Sequence, residues 1–221
     1  MPKPSTIAID GPAASGKTTM SRLLAQRLGY RFIDTGAMYR ALTWEAVGLG
    51  IDIEDEEALE RLAEVTEMEF APGGDEGIVV NGRYINPELR SPEVEYGVSP
   101  VAKVAGVRRV LVESQRSMAA GGNIIMAGRD IGTNVLTDAD LKIYLDVSVK
   151  EQARRRYREI IGRGEEADYE KILASLVRRD EIDSKRALNP LKKAEDAYLI
   201  NTDGMSVDEE LAEILKLIGG R

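Results

Sequence analysis

Residues 6 to 18 read Thr6-Ile7-Ala8-Ile9-Asp10-Gly11-Pro12-Ala13-Ala14-Ser15-Gly16-Lys17-Thr18. A short apolar run leads into a complete G-x-x-x-x-G-K-S/T loop, and a helical pattern starts directly behind it. That order of strand, loop and helix is the setting in which the motif binds a nucleoside triphosphate. Each residue type has a physical task. Gly11 and Gly16 allow backbone N–H groups to turn inward around phosphate oxygens, where a side chain would block the approach. Lys17 supplies a point charge between the β- and γ-phosphates. Thr18 offers a hydroxyl to Mg²⁺, and the helix that begins there adds the positive end of its dipole. The triphosphate-binding set is therefore Gly11, Pro12, Ala13, Ala14, Ser15, Gly16, Lys17 and Thr18, with Thr19 next in the chain.

Strand, loop and helix then alternate along most of the chain. Met20, Leu23, Leu24 and Leu28 recur at helical spacing, and Gly29 ends that helix. Arg31-Phe32-Ile33 is a short strand that delivers Asp34-Thr35-Gly36 to the start of a second helix. Further buried strands are predicted at residues 123–126, 141–145 and 197–200. A last helix starts at Ser206, with Glu209 completing a capping box. The alternation predicts an α/β fold, one domain built on a sheet of mainly parallel strands.

Two segments interrupt it. Between 51 and 98 an acidic helix leads to Met68-Glu69-Phe70, a turn at Pro72-Gly73-Gly74-Asp75, and then Ile78-Val79-Val80-Asn81-Gly82-Arg83-Tyr84-Ile85. Asn81-Gly82 between alternating apolar residues predicts a hairpin. Residues 51–98 thus read as a small antiparallel insertion, able to move against a core made of 1–50 and 99–221. Residues 149–165 read as an arginine-rich helix that ends in Gly162-Arg163-Gly164, whose glycines permit hinge or loop motion.

Composition narrows the chemistry. The chain has 221 residues, 43% hydrophobic and 31% charged, which describes an ordinary globular protein. No apolar run approaches the roughly 18 residues that span a bilayer, and Met1-Pro2-Lys3-Pro4 opens no apolar leader, so a cytoplasmic protein is expected. There is no cysteine and no histidine. Disulfides, thiolate metal sites, cysteine nucleophiles and the commonest general base are all excluded. What remains is carboxylate, lysine, arginine and Mg²⁺ chemistry. Phosphoryl transfer suits that set, because it needs positioning and charge stabilisation more than a titrating base. The net charge of −8 argues against a general binder of nucleic acid or acidic membrane. It is also unevenly spread. Residues 52 to 69 hold nine acidic side chains and one basic, Arg61, whereas Arg154, Arg155, Arg156, Arg158 and Arg163 crowd into ten residues. Dense arginines in an acidic chain point to a discrete anionic ligand, with solvated i,i+4 ion pairs as the alternative for about half of them.

Four segments fall where open α/β sheets bind ligands, at strand ends or helix starts. They are the phosphate loop, Asp34-Thr35-Gly36-Ala37-Met38-Tyr39-Arg40, Gly128-Arg129-Asp130-Ile131-Gly132, and the arginine helix. Arg40 lies one turn from Gly36, within reach of an anion at that helix start. Glycines bracketing Arg129-Asp130 expose both side chains at the sheet edge, and a mutual ion pair bracing the turn is the alternative. Asp10 and Asp146 end strands near the phosphates, each equally readable as a cap.

The set I-D-G-P-A-A-S-G-K-T, D-T-G-A-M-Y-R, A-G-R-D-I-G, K-I-Y-L-D-V-S and R-R-D-E-I-D-S-K-R-A-L-N-P-L, in this order and spacing, resembles the bacterial cytidylate (CMP) kinases. The resemblance spans essentially the whole chain. It implies a nucleoside-monophosphate-kinase fold, with a five-stranded parallel sheet between helices, a monophosphate-binding insertion and a lid. It further implies transfer of the γ-phosphoryl group of ATP, with Mg²⁺, to CMP or dCMP by a monomer. By position, Thr35, Arg40 and Arg129 hold the acceptor near its phosphate, beside Tyr39. Ser99, Arg108 and Asp130 read the cytosine, Arg179 and Asp183 hold the ribose, and Arg186 reaches the phosphates. Arg155 and Arg156 close over the transferred group. The catalytic set is then Lys17, Arg129, Arg155, Arg156 and Arg186. Ala127 stands where many members carry Asp, and Gly106 where some carry a further arginine. The competing expectations are a kinase for another small acceptor, such as UMP or AMP, and a regulatory nucleotide-binding module. The second is weakened by the lack of N-K-x-D and D-x-x-G elements.

Overall fold

The computed structural model describes residues 3–70 and 77–219, so the expected turn at 72–75 lies outside the described residues. Its centre is a five-stranded sheet in the order β2-β6-β1-β7-β8, parallel throughout. The strands are β1 (Thr6–Asp10), β2 (Arg31–Asp34), β6 (Ile124–Gly128), β7 (Leu141–Asp146) and β8 (Tyr198–Asn201). Ile7, Ala8, Ile9, Ile124, Ile125 and Met126 are wholly buried, as continuous apolar runs covered on both faces must be. The order places β1 between β6 and β7, so the loops after these three strands open at the same end of the sheet, where β1 carries the phosphate loop.

Strand limits differ from the sequence reading by one or two residues, and β2 and β7 each run one residue further. Asn123 has φ 49° and so belongs to the preceding turn, and β6 continues instead through Ala127 and Gly128, which pair with Ile9 and Asp10 of β1. β8 likewise starts one residue late and runs to Asn201, opposite Asp146.

Helices cover both faces. α1 (Lys17–Leu28) ends at Gly29, whose N–H donates to the Ala25 carbonyl from the left-handed conformation. α8 (Val207–Gly219) starts at the expected box: Ser206 N–H donates to Glu209, and Glu209 N–H donates to the Ser206 hydroxyl. Met20 and Leu24 of α1 pack with Ile214 and Ile218 of α8 against Ile7, Ile9 and Ile143 of the sheet. α2 (Thr35–Gly48) is N-capped by the Asp34 carboxylate, which accepts from Ala37 N–H. It packs with α3 (Glu56–Val65), α4 (Pro92–Lys103) and α5 (Ala105–Ala119) in the second core.

The insertion carries an antiparallel sheet of β3 (Met68–Phe70), β4 (Ile78–Val80) and β5 (Arg83–Ile85). Asn81 and Gly82 both have positive φ, 49° and 79°, as the tight turn demands. The Asn81 side chain also reaches Glu45 of α2, which ties the hairpin to the core. At its far end the segment has no break, because α4 runs straight through residue 98. The arginine helix is α6 (Val149–Gly162), followed by α7 (Tyr169–Lys185). Ala153 of α6 and Leu176 of α7 bury Ala13, seating this pair on the phosphate loop.

Candidate active site

One cavity of about 630 Å³ joins the phosphate loop to the arginine-rich segments. At its floor the loop takes the backbone its sequence was built for. Gly16 has φ 90°, and a Cβ there would sit 2.9 Å from the Glu210 carboxylate. At Gly11, with φ 153°, a Cβ would lie 2.3 Å from the Leu145 carbonyl, so only glycine lets the loop pass over β7. Ala13 through Thr19 line the cavity, whereas Gly11 and Pro12 shape it from behind.

Lys17 is buried, and its ammonium donates to the Pro12 carbonyl and, at 3.1 Å, to the Ser15 hydroxyl. Burial, followed by the field of Arg129, holds its pKa well below the ordinary lysine value. The charge is therefore poorly compensated by the protein, which suits a group whose partner is a polyphosphate. Thr18 donates its hydroxyl to Asp34 at 3.2 Å, and Asp34 also accepts from Arg40 at 3.1 Å. Burial alone would raise the Asp34 carboxyl. Arg40, Thr18 and Lys17 outweigh it and keep the group ionised.

Asp10 acts as a cap, on the first N–H groups of the helical turn Ile131–Val135, and does not line the cavity. Its two oxygens accept N–H groups from Ile131 and Gly132, each at 2.8 Å, which fixes the loop after β6 over the end of β1. Burial pushes this carboxyl up from 3.8 to about 6. The folded value exceeds the unfolded one, so the stabilising contribution is complete below about pH 4 and is lost as the pH rises through 6. Its size is about 3 kcal/mol. Asp34 and Asp183, both lowered, act in the opposite sense and lose their contribution as the pH falls. In a carbon-13 carboxyl titration Asp10 should show a midpoint close to 6. A midpoint in the ordinary aspartate range, about 4, would refute the environment described here.

On the other side of the cavity the arginines are held by carboxylates. Arg129 donates its Nε to Asp183 at 2.9 Å, and Asp183 also accepts from the Ser99 hydroxyl at 3.2 Å. Asp130 accepts from Arg108 and, at 2.9 Å, from Arg186, with Asn134 as a third donor at 3.0 Å. Arg129 and Asp130 thus point to different partners, and the mutual ion pair is not formed. Arg108 donates also to the Ala102 carbonyl, lies over the Tyr39 ring at 5.8 Å and does not line the cavity. It stands behind Asp130 as a brace. Thr35 lines the cavity but gives its hydroxyl to the Ala127 carbonyl at 2.8 Å. Arg129 takes its orienting carboxylate from Asp183, so Ala127 at the strand end leaves it supported. At Gly106 a Cβ would meet the Glu60 carboxyl carbon at 2.1 Å, so a larger residue there would require that flexible side chain to swing aside.

The two lid arginines separate. Arg155 turns toward α8, donating to the Thr202 carbonyl and pairing with Glu210 at 3.2 Å, beside Met205, Ser206 and Val207. Arg156 turns the other way, to Glu95 of α4 at 3.3 Å and Glu159 at 2.9 Å. Arg179 pairs with the same Glu95 at 3.0 Å rather than with Asp183. The Nε groups of Arg40 and Arg179 are buried without a protein acceptor. Carboxylate-free donors in a cavity rich in guanidinium are what an incoming phosphate would satisfy. Glu95 and Glu210 went unseen in the sequence, and Asp34 was read only as part of its helix start. Asp34 had a signal, as the N-cap of D-T-G. Glu95 had only its position one helical turn before Ser99.

Known proteins agree with this picture. A profile of the family described as cytidylate kinase matches residues 7–219. The chain is 49% identical over 216 residues to a cytidylate kinase of Geobacillus thermodenitrificans, covering 97% of this chain and 96% of that protein. It is 44% identical over 215 residues to one of Carboxydothermus hydrogenoformans, covering 96% of each. Among solved structures, an uncharacterized protein from Eubacterium ventriosum shares the fold with a TM-score of 0.51 at 14% identity, over 98% of this chain and 99% of that one. With a phosphate loop and a cluster of guanidinium groups in one cavity, and relatives alike over nearly their whole length, the chain belongs to the cytidylate kinase family: it is an ATP-dependent phosphotransferase that phosphorylates CMP and dCMP.

Proposed function

We propose that the transfer takes place within the cavity that joins the phosphate loop to the arginines, with ATP on the Ala13–Thr19 side and the monophosphate among Arg40, Arg129, Arg179 and Arg186. The observation that carries this reading is the convergence of those four arginines on the same cavity as Lys17. An acceptor phosphate, whose second pKa is about 6, is already a dianion at neutral pH and needs no base. Its obstacle is repulsion from the triphosphate. Four guanidiniums neutralise it so that one of its oxygens can approach the γ-phosphorus in line with the departing ADP oxygen. Lys17 holds the β- and γ-phosphates. Arg156, facing the acceptor side, meets the charge of the transferring group, and Arg155, facing Thr202 and Glu210, steadies the donor nucleotide. Asp130, set between two guanidiniums, accepts the exocyclic amine of cytosine. Ser99 and Asp183, joined to each other, stand on the ribose side.

The residues present suit Mg²⁺. The Thr18 hydroxyl, backed by Asp34, supplies hard oxygen donors beside the phosphate loop, and no group of three metal-ligating side chains occurs among the described residues. That favours an ion held chiefly by phosphates and water. When bound it neutralises charge on the β- and γ-oxygens. The reading extends to a monomer acting on free nucleotides in the cytoplasm. Among the described residues no helix is long and apolar enough to cross a membrane. Residues 51–98 and 149–165 close over the nucleotides. Ion pairs that already link the two segments, Arg156 with Glu95 and Arg90 with Glu159, support that motion.

The test is Arg179→Ala. Loss of one charge-assisted contact to the acceptor should lower kcat/KM for CMP by about 10²-fold while the KM for ATP changes by no more than about threefold. Equal losses for both substrates would sink the assignment of Arg179 to the acceptor.

A further inference from the structure

Glu95 stands apart from the other carboxylates of the cavity. It projects from α4 into the space between α6 and α7, and each of its oxygens holds a different arginine: Oε1 takes Arg156 at 3.3 Å and Oε2 takes Arg179 at 3.0 Å. Arg40 and Arg90 contribute to the same positive field. Asp183 and Asp34 also bind cavity arginines, but each has a further task, accepting Ser99 or capping α2. Both oxygens of the Glu95 carboxylate are taken up by the two guanidiniums. A carboxylate with both oxygens on arginines from two helices makes the contacts that two oxygens of a phosphate would make.

We infer that Glu95 is an internal counter-ion which the acceptor phosphate must displace, and that it thereby sets how tightly the cavity holds a monophosphate. This rests on the reading that the acceptor phosphate lies among Arg40, Arg129, Arg179 and Arg186. Before binding, Glu95 keeps Arg156 of the lid and Arg179 of α7 ordered and neutralised, which limits repulsion among the guanidiniums. When the phosphate arrives it competes for the same N–H groups and meets a like charge beside them. Glu95 therefore weakens binding of the charged end of the acceptor and leaves the nucleoside end untouched. It is a positioning residue, with no role in bond making.

The experiment compares the full-length chain with Glu95→Gln and Glu95→Asp by calorimetric titration of CMP, of cytidine and of inorganic phosphate. Glu95→Gln keeps the shape and removes the charge. It should bind CMP about five- to tenfold more tightly, the size of one partly screened charge contact, with the difference narrowing as salt is added. Cytidine affinity should not change, and Glu95→Asp should stay close to the wild-type chain. In steady state the gain should appear as a lower KM for CMP with an unchanged KM for ATP. CMP binding that is equal or weaker in Glu95→Gln overturns the inference, as does a parallel change for cytidine, which would mark a structural effect. If Glu95→Gln does not fold, the unmodified chain still decides. Its Glu95 carboxyl carbon resonance should move on addition of CMP and stay still with cytidine, and no shift with CMP counts against displacement. Should the unmodified chain bind no CMP, the acceptor reading itself fails. Inorganic phosphate then tests Glu95 alone, with tighter binding to Glu95→Gln in favour and equal binding against.

Discussion

Lys17→Ala is expected to lower kcat for CDP formation by at least about 10³-fold at saturating ATP and CMP, the largest effect of any single substitution in this chain. The reason lies in how the ammonium is held. Lys17 is buried, anchored by the Pro12 carbonyl and the Ser15 hydroxyl, and its charge is made costly by burial and by the neighbouring Arg129. A positive group in so dry a setting costs stability in the free protein and gains most when charge develops next to it. Removing it deletes stabilisation that water does not replace, because a fixed charge needs no reorganisation as the phosphoryl group transfers. Arginine is no substitute: its planar fork does not fit the space a compact ammonium fills between Pro12 and Ser15. Thermal unfolding of Lys17→Ala should show a midpoint no lower than that of the wild-type chain, since a buried charge has been removed. Quantifying CDP by chromatography over time measures the loss. A variant within tenfold of the wild-type rate would show that Lys17 does not carry transition-state charge.

Asp130→Asn should have the second largest effect, and one with a direction. Asp130 is the shared anion of Arg108 and Arg186, and both arginines are almost wholly buried. In the proposed arrangement its carboxylate accepts from cytosine's amine and repels the carbonyl that uracil presents at the same position. Such a site rejects the wrong partner by up to about 10⁴, because buried polar groups are left unpaired. The amide offers a donor where the carboxylate had none. CMP turnover should fall by about 10²- to 10³-fold and the preference for CMP over UMP should shrink toward tenfold or less. The substitution also leaves two buried guanidiniums without their common counter-ion, at a cost of about 3 to 5 kcal/mol. A fall in unfolding midpoint is therefore part of the expected result. It is separated from the base-reading effect by the CMP:UMP ratio, which a general loss of folded protein would not alter.

The parts of this molecule that were legible in its sequence are those whose physics is local. The phosphate loop is contiguous, so the glycines, the lysine and the threonine can be read from their spacing. Asn81-Gly82 and the Ser206–Glu209 box are likewise complete within four residues, and both form as expected. Alternating apolar segments were enough to indicate a sheet of mainly parallel strands, and the family resemblance set their number at five. Their limits slipped where Asn123 took a turn conformation and where the small residues Ala127 and Gly128 continued β6. The partners of the charged residues were not legible. Arg129 and Asp183 are 54 positions apart, and Arg156 and Glu95 are 61. No local pattern records such pairings, and adjacency misleads: Arg129 and Asp130 are neighbours that never meet. Arg108 shows the same gap, since its spacing says nothing of its standing behind Asp130 rather than in the cavity.

The most direct test of the whole account is the rate of ADP formation by the wild-type chain, with Mg²⁺ and ATP, in separate reactions with CMP, dCMP, UMP, AMP and GMP and a control without acceptor, repeated for Asp130→Asn. The expected result is turnover highest with CMP or dCMP, little with the others, and a CMP preference that collapses in the variant. Equal turnover of UMP by the wild-type chain, or ADP formation that does not depend on any acceptor, would contradict it.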